Sequence, residues 1–335
     1  MVSLKIEDYP KILYKTEDTN LFDVVALGEI LIDFTPCGKS ASGQRIFEQN
    51  PGGAPANVLT CLSKFNKKTA FLGKIGEDMH GAFLKSVLED NDINTDGLAE
   101  DANVFTTLAF VALSDSGERS FSFARKPGAD TCLTEAELKE DIIKDSKVLH
   151  IGSLSLTADP SKSTTFKALE VAKANGVIVS YDPNYRAPLW DSKEAAIEGM
   201  RSVLSYVDLM KISDEETELL TGVKEPEAAA KKLLEQGVSV VAVTLGSEGA
   251  LVCTKEGSKL VPGYKANMVD TTGAGDSFWG GFLNQFIESG KKPCEVTLED
   301  AAAFAKFGNA VASLCVEKRG AIPAMPTPED VAARI

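Results

Sequence analysis

The chain has 335 residues, of which 44% are hydrophobic and 25% charged, as expected of a globular protein with an ample core. Its formal net charge of −14 argues against a nucleic-acid-binding protein, because affinity for a phosphate backbone requires clustered lysine and arginine. No apolar run approaches the ~20 residues that span a bilayer, and the first residues lack the basic-then-apolar pattern of a signal peptide. We therefore expect neither a nucleic acid nor a membrane as a partner.

The cysteines and histidines are scattered, which argues against several kinds of site. The six cysteines include no C-x-x-C pair and mostly lie in apolar runs, as buried free thiols do. This usage argues against zinc or a disulfide framework and predicts a cytoplasmic location, where thiols stay reduced. The two histidines, His80 and His150, are too isolated for a histidine metal site or a Ser-His-Asp triad, so we expect both to be structural.

Residues 1–21 are polar with little pattern, and we assign them to an N-terminal extension. Hydrophobic periodicity then predicts a strand, a helix, a strand and a helix, at 22–27, 54–65, 69–72 and 79–90. Two segments, near 32–50 and 104–125, do not fit this rhythm. The segment near 32–50 is irregular with short alternating stretches, whereas the segment near 104–125 has the pattern of a hairpin with its turn at 114–118. We interpret both as a small β-sheet that forms a lid over the site.

From residue 148 onward, strands and helices alternate. Strands are predicted at 148–151, 177–181, 207–212 and 239–244, and helices at 161–174, 193–204, from about 214, and at 226–236. An antiparallel pair follows at 251–253 and 259–261, and then two long helices at 274–288 and 298–316. The alternation predicts an α/β fold with a mostly parallel central sheet flanked by helices, in one large domain over residues 22–335. Ligands of such sheets bind outside the carboxyl ends of the strands.

The segment Asp270–Phe282 joins a glycine turn directly to a helix, since its apolar residues recur at helical spacing. The unpaired N–H groups and the dipole at a helix N-terminus suit an anion. Asp276, in the first turn, would repel a resident phosphate, so we infer a transient anion and a carboxylate that takes a proton from the attacking group. A tight turn with an acidic cap is the structural alternative. A Walker A loop is absent, and Phe278 occupies the third glycine position of a dinucleotide fingerprint.

Two segments, Gly52–Asn57 and Asp270–Asp276, resemble the signatures of the ribokinase-like PfkB family of carbohydrate kinases. The resemblance runs from about residue 22 to the C-terminus, and within the family the chain is most similar to the fructokinases. It implies the ribokinase-like fold and ATP-dependent phosphorylation of a small sugar, with fructose to fructose 6-phosphate as the first choice. In the family the late glycine turn is an anion hole and the following aspartate is the catalytic base. The resemblance implies those roles for Gly273, Ala274, Gly275 and Asp276.

The same resemblance implies a sugar site. Its residues in this sequence are Asp33, Gly52, Gly53, Asn57, Arg125 and Arg186. An aspartate in an apolar strand, such as Asp33, is costly unless it is paired, and two sugar hydroxyls would remove that cost. The glycine pair could equally be a turn with a helix cap, and the two arginines could be solvated. Ala54 stands where ribokinases carry lysine, which makes a ribose-type site less expected.

Nucleotide and cation sites also follow from the resemblance. Nucleotide contacts are implied for Asn184, Ser213, Glu216, Thr244, Gly246, Ser247, Gly249 and Asn309, with Mg²⁺ bridging the ATP phosphates. A K⁺ site is implied at Asp270, Thr272, Cys315 and Gly320. Ala324 replaces a serine that donates a hydroxyl in ribokinases, so the K⁺ site is one ligand weaker. Ser213 and Glu216 also match a capping box, and Asn309 could be a surface amide.

Several alternatives stay open. A 2-keto-3-deoxygluconate kinase would depend on Arg125 or Arg186, because its substrate is a carboxylate. A ribokinase, a nucleoside kinase and a catalytically inactive sugar or nucleotide sensor are further alternatives, although the intact Asp276 argues against a sensor. The predicted lid favours a homodimer formed through it, since it carries the apolar Phe105, Phe110 and Phe121.

Overall fold

The computed structural model describes residues 21–113 and 119–335. Its strands are β1 (Phe22–Leu27), β2 (Leu31–Lys39), β3 (Arg45–Gly52), β4 (Thr69–Gly76), β5 (Ile93–Asp101), β6 (Leu108–Leu113), β7 (Arg119–Ala124), β8 (Ser146–Ile151), β9 (Ile178–Tyr181), β10 (Leu209–Ser213), β11 (Val240–Thr244), β12 (Gly249–Thr254) and β13 (Gly257–Pro262). Its α-helices are α1 (Ala54–Lys64), α2 (Met79–Asp90), α3 (Glu140–Lys144), α4 (Ser161–Ala174), α5 (Lys193–Ser202), α6 (Thr217–Thr221), α7 (Pro226–Leu234), α8 (Ala274–Ser289), α9 (Leu298–Cys315) and α10 (Pro328–Arg334). Over these same residues, none of the helices combines the length and the apolar character needed to cross a bilayer.

Nine strands form the main sheet, in the order β13-β12-β11-β10-β9-β8-β1-β4-β5. The strands from β11 to β5 in this order pair in parallel, and β12 and β13 extend the sheet as an antiparallel hairpin. Leu27 of β1 lies opposite both Leu72 of β4 and Ile151 of β8, so these strands run in register toward one edge. The predicted mostly parallel sheet and its antiparallel pair are confirmed.

The main sheet buries apolar side chains on both faces. In β1, Val25 belongs to one core layer, which packs against α4 and α5, whereas Val24 belongs to a second layer, which packs against α1, α8 and α9. In the second layer the Phe282 ring stacks on Trp279 at 4.8 Å and meets Phe304 edge-on at 5.5 Å. These contacts anchor α8, whose N-terminus carries the glycine turn.

The other four strands form a small separate sheet, in the order β3-β2-β6-β7. β2 pairs in parallel with β6 and antiparallel with β3, and β6 pairs antiparallel with β7. The predicted small sheet is therefore present, but the prediction that residues 32–50 are irregular is wrong, because most of them belong to β2 and β3. Pro36 and Gly38 disfavour a strand on their own, and the pairing shifts register between them. The predicted turn at 114–118 lies outside the described residues.

Strand β5 is missing from the sequence-based prediction. Its sequence, INTDGLAED, is rich in Asn, Asp and Gly, which are depleted in strands. It forms because it hydrogen-bonds in parallel with β4 at the edge of the main sheet, and the same pairing extends β4 from the predicted Leu72 to Gly76. The predicted N-terminal extension lies, up to residue 20, outside the described residues, so its boundary stays a prediction.

Leu59 on α1 is fully buried in the second core layer, so Leu59→Ala should lower the free energy of unfolding by about 2–5 kcal/mol. The matched control is Leu260→Ala on β13, where the side chain is 53% exposed and truncation should cost no more than about 0.5 kcal/mol. Urea unfolding measures both values. Equal losses in the two variants would contradict the packing described for the second layer.

Candidate active site

The expected site residues gather at the carboxyl edge of the main sheet. Asp182 directly follows β9, Ser213 ends β10 and Thr244 ends β11, and these strands are parallel neighbours. Parallel strands deliver the residues at their carboxyl ends to one crevice, which is the usual ligand site of such sheets. The N-termini of α1 and α8 lie at the same place, because Asn57 is hydrogen-bonded to Asp276 and Gly275 lies against Lys211 of β10.

The predicted glycine turn opens α8. Gly273 is the residue before the helix and has the left-handed φ of 77°, and a Cβ there would lie 2.7 Å from the Cβ of Ala321. The Ala274 N–H donates to the Thr271 carbonyl oxygen at 3.2 Å, which closes the turn. Within residues 21–113 and 119–335, the N–H groups of Gly275 and Asp276 have no hydrogen-bond acceptor. The turn therefore presents two adjacent amides, at the positive end of the helix dipole, that suit an anion.

Asp276 is buried and is held by the other signature segment. The Asn57 side-chain amide donates from Nδ2 to Asp276 Oδ2 at 2.7 Å. Burial raises the pKa of Asp276 to about 6, and repulsion from Asp182 adds to this, whereas Asn57, Lys211 and Arg186 oppose it. The carboxylate is therefore ionised at neutral pH and is a stronger base than an ordinary aspartate. Asn57 Oδ1 is buried and accepts no hydrogen bond in the described part of the chain.

Asp33 lies on β2 of the small sheet, between β3 and β6, and a Cβ added to Gly52 would collide with its carboxylate. Burial raises the pKa of Asp33 to about 6, and the nearby Arg186 opposes this effect. Its backbone belongs to the sheet, but among the residues that the structure describes the Asp33 carboxylate has no hydrogen-bond donor. It is thus a partly buried acceptor that a ligand donor could satisfy. Gly53, next to Gly52, is the residue before α1.

Arg186 is exposed, and its guanidinium donates from Nη1 to the Tyr185 carbonyl oxygen at 3.0 Å. Its charge opposes the rise in the pKa of both Asp33 and Asp276, so the guanidinium lies within electrostatic range of the two carboxylates. Asn184 precedes it with a left-handed φ of 47°, and the Asn184 N–H donates to Asp182 Oδ1 at 3.1 Å. The loop after β9 is therefore built on Asp182.

Arg125 does not have the environment of a solvated lid arginine. Its guanidinium is buried and donates from Nε to Asp130 Oδ2 at 2.8 Å, from Nη1 to Thr157 Oγ1 at 2.9 Å and from Nη2 to the Leu154 carbonyl oxygen at 2.9 Å. These bonds tie the end of β7 to the loop that follows β8. Direct contact between Arg125 and a sugar stays a prediction, since the structure gives the guanidinium protein partners.

Ser213 and Glu216 form the capping box that the sequence offered as an alternative. The Ser213 N–H and Oγ–H donate to Glu216 Oε2 at 2.8 and 3.0 Å. The other oxygen, Oε1, accepts the Tyr185 N–H at 2.7 Å. Glu216 therefore fastens the loop after β9 to the end of β10, and any contact with a metal ion stays a prediction.

The loop after β11 carries the other expected nucleotide residues. Thr244 ends β11, Gly246 and Ser247 lie in a 3₁₀ turn, and Gly249 begins β12. The turn is closed by the Leu245 N–H, which donates to the Gly249 carbonyl oxygen at 2.8 Å. A Cβ added at Gly246 would meet no atom of the described residues within 4 Å, so the outer side of this turn is open.

Asn309 is a buried residue of α9 and not a surface amide. Its Nδ2 donates to the carbonyl oxygens of Val261 and Pro262 at 3.0 and 3.1 Å, which fixes the end of β13 against the helix. A nucleotide contact through this residue stays a prediction.

The four residues expected at the K⁺ site lie together. Asp270 Oδ1 accepts the Thr272 N–H at 2.9 Å and its Oγ1–H at 2.7 Å, and Oδ2 accepts the Gly320 N–H at 3.1 Å. The Cys315 thiol points to the Thr272 carbonyl oxygen at 3.9 Å. Asp270 thus joins the segment before α8 to the loop after α9, beside the glycine turn.

Sequence reasoning missed two charged residues of the site. Lys211, on β10, forms an ion pair with Asp182 at 2.9 Å, and both side chains are buried. Glu29, after β1, accepts the Ala54 N–H at 2.9 Å and so caps α1, and burial raises the pKa of Glu29 to about 7. Both could have been found in the sequence, because each is a charged residue within or just after an apolar strand, where a buried charge needs a partner.

Comparison with known proteins places the chain in a family. The model described as pfkB family carbohydrate kinase matches residues 21–328. The probable fructokinase-5 of Arabidopsis thaliana is 44% identical over 311 residues, which cover 92% of this chain and 95% of that protein. The structure of a fructokinase with bound ATP from Xylella fastidiosa has a TM-score of 0.85 and 31% identity, and the match covers 94% of this chain and 98% of that one.

A fructokinase double mutant from Vibrio cholerae O395, solved with fructose, ADP and a potassium ion, also has a TM-score of 0.85 and 31% identity, over 94% of this chain and 99% of that one. The family model covers almost the whole described chain, including both signature segments. The chain therefore belongs to the pfkB family of carbohydrate kinases, phosphotransferases that act on a sugar hydroxyl, and it has their ribokinase-like fold.

Proposed function

We propose that this protein transfers the γ-phosphoryl group of ATP to a hydroxyl of fructose and so makes fructose 6-phosphate. The observation that carries the proposal is the Asn57–Asp276 hydrogen bond, which brings a buried carboxylate, the amides of a helix N-terminus and the sugar-side signature into one site. The names of the relatives support it, since fructokinases match at 44% identity in sequence and at a TM-score of 0.85 in structure.

In this mechanism Asp276 accepts the proton of the sugar hydroxyl, whose oxygen then attacks the γ-phosphorus. Phosphoryl transfer depends on positioning and charge stabilisation more than on covalent chemistry. The Gly275 and Asp276 amides are placed to receive the negative charge that develops on the transferring group. Asn57 orients the base, and the raised pKa of Asp276, about 6, lies closer to neutral pH than that of an ordinary aspartate, which favours proton transfer.

The sugar side favours a neutral polyol. Asp33 and the Oδ1 of Asn57 are acceptors without partners among the described residues, and hydroxyl groups are the donors that would satisfy them. A substrate carboxylate would be repelled by Asp33 and Asp276. Arg125 offers it little compensation, because that charge is already neutralised by Asp130, and the charge of Arg186 already acts on the two carboxylates. We therefore rank fructose ahead of 2-keto-3-deoxygluconate.

We propose that Mg²⁺ arrives with the ATP phosphates. The described residues contain no group of three or more His, Cys, Asp or Glu that could hold a metal ion. This fits Mg²⁺, which usually keeps several waters and binds through substrate phosphates plus one or two carboxylates. Glu216 is the residue we place nearest to it, through water, since both of its oxygens already accept protein N–H groups.

We also propose that K⁺ binds beside the glycine turn, at Asp270, Thr272, Cys315 and Gly320. The donor set fits an alkali cation, because it offers a carboxylate and backbone carbonyl oxygens. The fructokinase double mutant from Vibrio cholerae O395 was solved with a potassium ion, and another fructokinase structure from that organism contains a calcium ion. A cation here would stabilise the loop that Asp270 joins to α8.

The first test is a sugar panel assayed for ADP release with Mg²⁺-ATP, with and without K⁺. We expect fructose to give the highest kcat/KM and K⁺ to increase it. Asp276→Asn, which keeps the shape but removes the base, should lower kcat by about 10²–10⁴-fold.

The panel contains fructose, ribose, 2-keto-3-deoxygluconate and nucleosides. A higher kcat/KM for one of the others would replace fructose as the substrate, and no sugar-dependent turnover at all would favour a sensor. Equal ADP release by the wild type and Asp276→Asn would contradict the base mechanism itself.

The pH dependence provides a further test. The raised pKa of Asp276, about 6, means that the active carboxylate form is present above pH 6 and is lost as the pH falls through this value. We expect kcat/KM for fructose to fall about tenfold per pH unit below it. Asp33→Asn removes a second carboxylate of the site whose pKa is about 6, and this variant should keep the fall in kcat/KM at acid pH. If kcat/KM instead begins to fall only near pH ~4, the ordinary pKa of an aspartate, the assignment of Asp276 as the titrating base is contradicted.

We propose that a second copy of the chain covers the small sheet. Phe110 is 40% exposed, stacks on Phe34 at 5.1 Å and meets Phe47 edge-on at 6.2 Å, which forms an apolar face. The side chain of Phe121, which the sequence also placed on this face, lies outside the described residues. We expect a solution mass of twice the 35.7 kDa of one chain.

Phe110→Glu should reduce the mass of this dimer to that of one chain, as measured by light scattering. Leu260→Glu is the control, since it places the same charge on the edge of the main sheet and should leave the mass unchanged. A wild type with the mass of a single chain would contradict the dimer.

A further inference from the structure

Lys211 is a lysine within an otherwise apolar strand, and its burial requires an explanation. It lies on β10, where its neighbours Met210 and Ile212 are fully buried in the core. Taking an ammonium out of water costs several kcal/mol, and a partner must offset this cost. Asp182 Oδ2, at 2.9 Å, is that partner. Burial opposes the charge, but Asp182, Glu216 and Asp276 outweigh it and raise the pKa of Lys211, so the ammonium stays protonated.

The ammonium lies against the glycine turn. A Cβ added to Gly275 would be 2.9 Å from Lys211 Nζ, so the nitrogen occupies the space beside the Gly275 backbone. Gly275 is one of the two residues whose N–H groups open the anion site at the N-terminus of α8. Lys211 therefore brings a full positive charge to the place where the helix brings partial ones.

Another buried lysine, Lys74 on β4, has a complete set of acceptors. Its ammonium has three N–H donors and three protein acceptors: Asp101 Oδ2 at 2.8 Å, Glu137 Oε1 at 2.8 Å and the Cys132 carbonyl oxygen at 3.2 Å. Lys211 also has three donors, but within residues 21–113 and 119–335 it has the single acceptor Asp182. Two charged donors next to an anion site are thus left for acceptor oxygens that are not part of the protein.

We propose that Lys211 is a catalytic residue that donates a hydrogen bond to an oxygen of the transferring phosphoryl group, and that Asp182 is the positioning residue that holds its ammonium. The proposal rests on the kinase function proposed above. In the step, the sugar oxygen forms a bond to the γ-phosphorus while the bond from this phosphorus to the β,γ-bridging oxygen breaks. The electron pair of that bond stays with ADP, and the hydroxyl proton moves to Asp276. Lys211 offsets the charge on the transferring oxygens and neither gains nor loses a proton.

The test compares Lys211→Met with the wild type in kcat, in KM for fructose and in the binding of ADP with aluminium fluoride, Mg²⁺ and fructose, which mimics the transferring group. We expect kcat to fall by about 10²–10³-fold, as when one donor to a transition-state oxyanion is removed, with KM for fructose changed by less than about threefold. The variant should also fail to retain ADP in the aluminium fluoride complex while it still binds ADP alone.

Two further variants separate chemistry from folding. Lys211→Met leaves Asp182 buried without its partner, so the double variant Asp182→Asn/Lys211→Met removes both charges and keeps an acceptor for the Asn184 N–H. It should recover stability but not kcat. Lys74→Met is the matched control, because it also removes a buried strand lysine and should lose stability while it keeps kcat. Thermal unfolding records the stability of each variant.

The inference is overturned if Lys211→Met, or the folded double variant, turns over fructose at a wild-type rate or traps ADP with aluminium fluoride as the wild type does. A failure of the fructose proposal is distinguishable, since the wild type itself would then be inactive on fructose. In that case the same variants are compared with the sugar that the panel identifies. A wild type that is inactive on every sugar and does not trap ADP with aluminium fluoride would overturn both.

Discussion

The hydrogen bond from Asn57 to Asp276 is the interaction on which the rest of the site depends. It joins two side chains that are 219 residues apart in the chain, at the first turns of α1 and α8. Both helices pack on the same face of the main sheet, in the layer that contains Phe282 and Trp279, so the bond rests on the hydrophobic core beneath it. The Asn57 hydrogen bond opposes the rise in the pKa of Asp276 that burial causes. Without this donor, the pKa of Asp276 would be higher and the carboxylate would lose the contact that orients it.

Around this bond, negative and positive groups are balanced at short range. Asp276 is repelled by Asp182 and itself repels Asp33, and burial raises the pKa of Asp33 and of Asp276. Lys211 and Arg186 counter that repulsion from two sides, the first within the sheet and the second from the exposed loop after β9. The balance leaves a base that titrates near pH 6 and remains charged at neutral pH. A sugar hydroxyl can enter such a site without bringing a further charge to neutralise.

Several residues expected to bind ligands also hold the backbone that forms the site. Glu216 joins the loop after β9 to the end of β10, Asp270 joins the segment before α8 to the loop at Gly320, and Asn309 holds the end of β13. Parallel strands end in loops whose N–H and carbonyl groups have no partners in the sheet, and buried polar side chains supply them. The residues predicted to bind ligands therefore also have a structural role in the loops around the site.

By itself, the sequence determined the alternation of strands and helices, the parallel sheet, and the two signature segments with Asn57 and Asp276. These follow from hydrophobic periodicity and from short glycine-rich patterns, which are local properties of the chain. It did not reveal β5, whose polar residues become a strand only by pairing with β4, or the pairing of β2 with β3 across Pro36 and Gly38. The tertiary structure alone decided the charge partners: Lys211 with Asp182, Arg125 with Asp130 and Glu29 with the N-terminus of α1. The physical reason is that the state of a buried charge depends on what burial places next to it, and those neighbours come from other strands and loops.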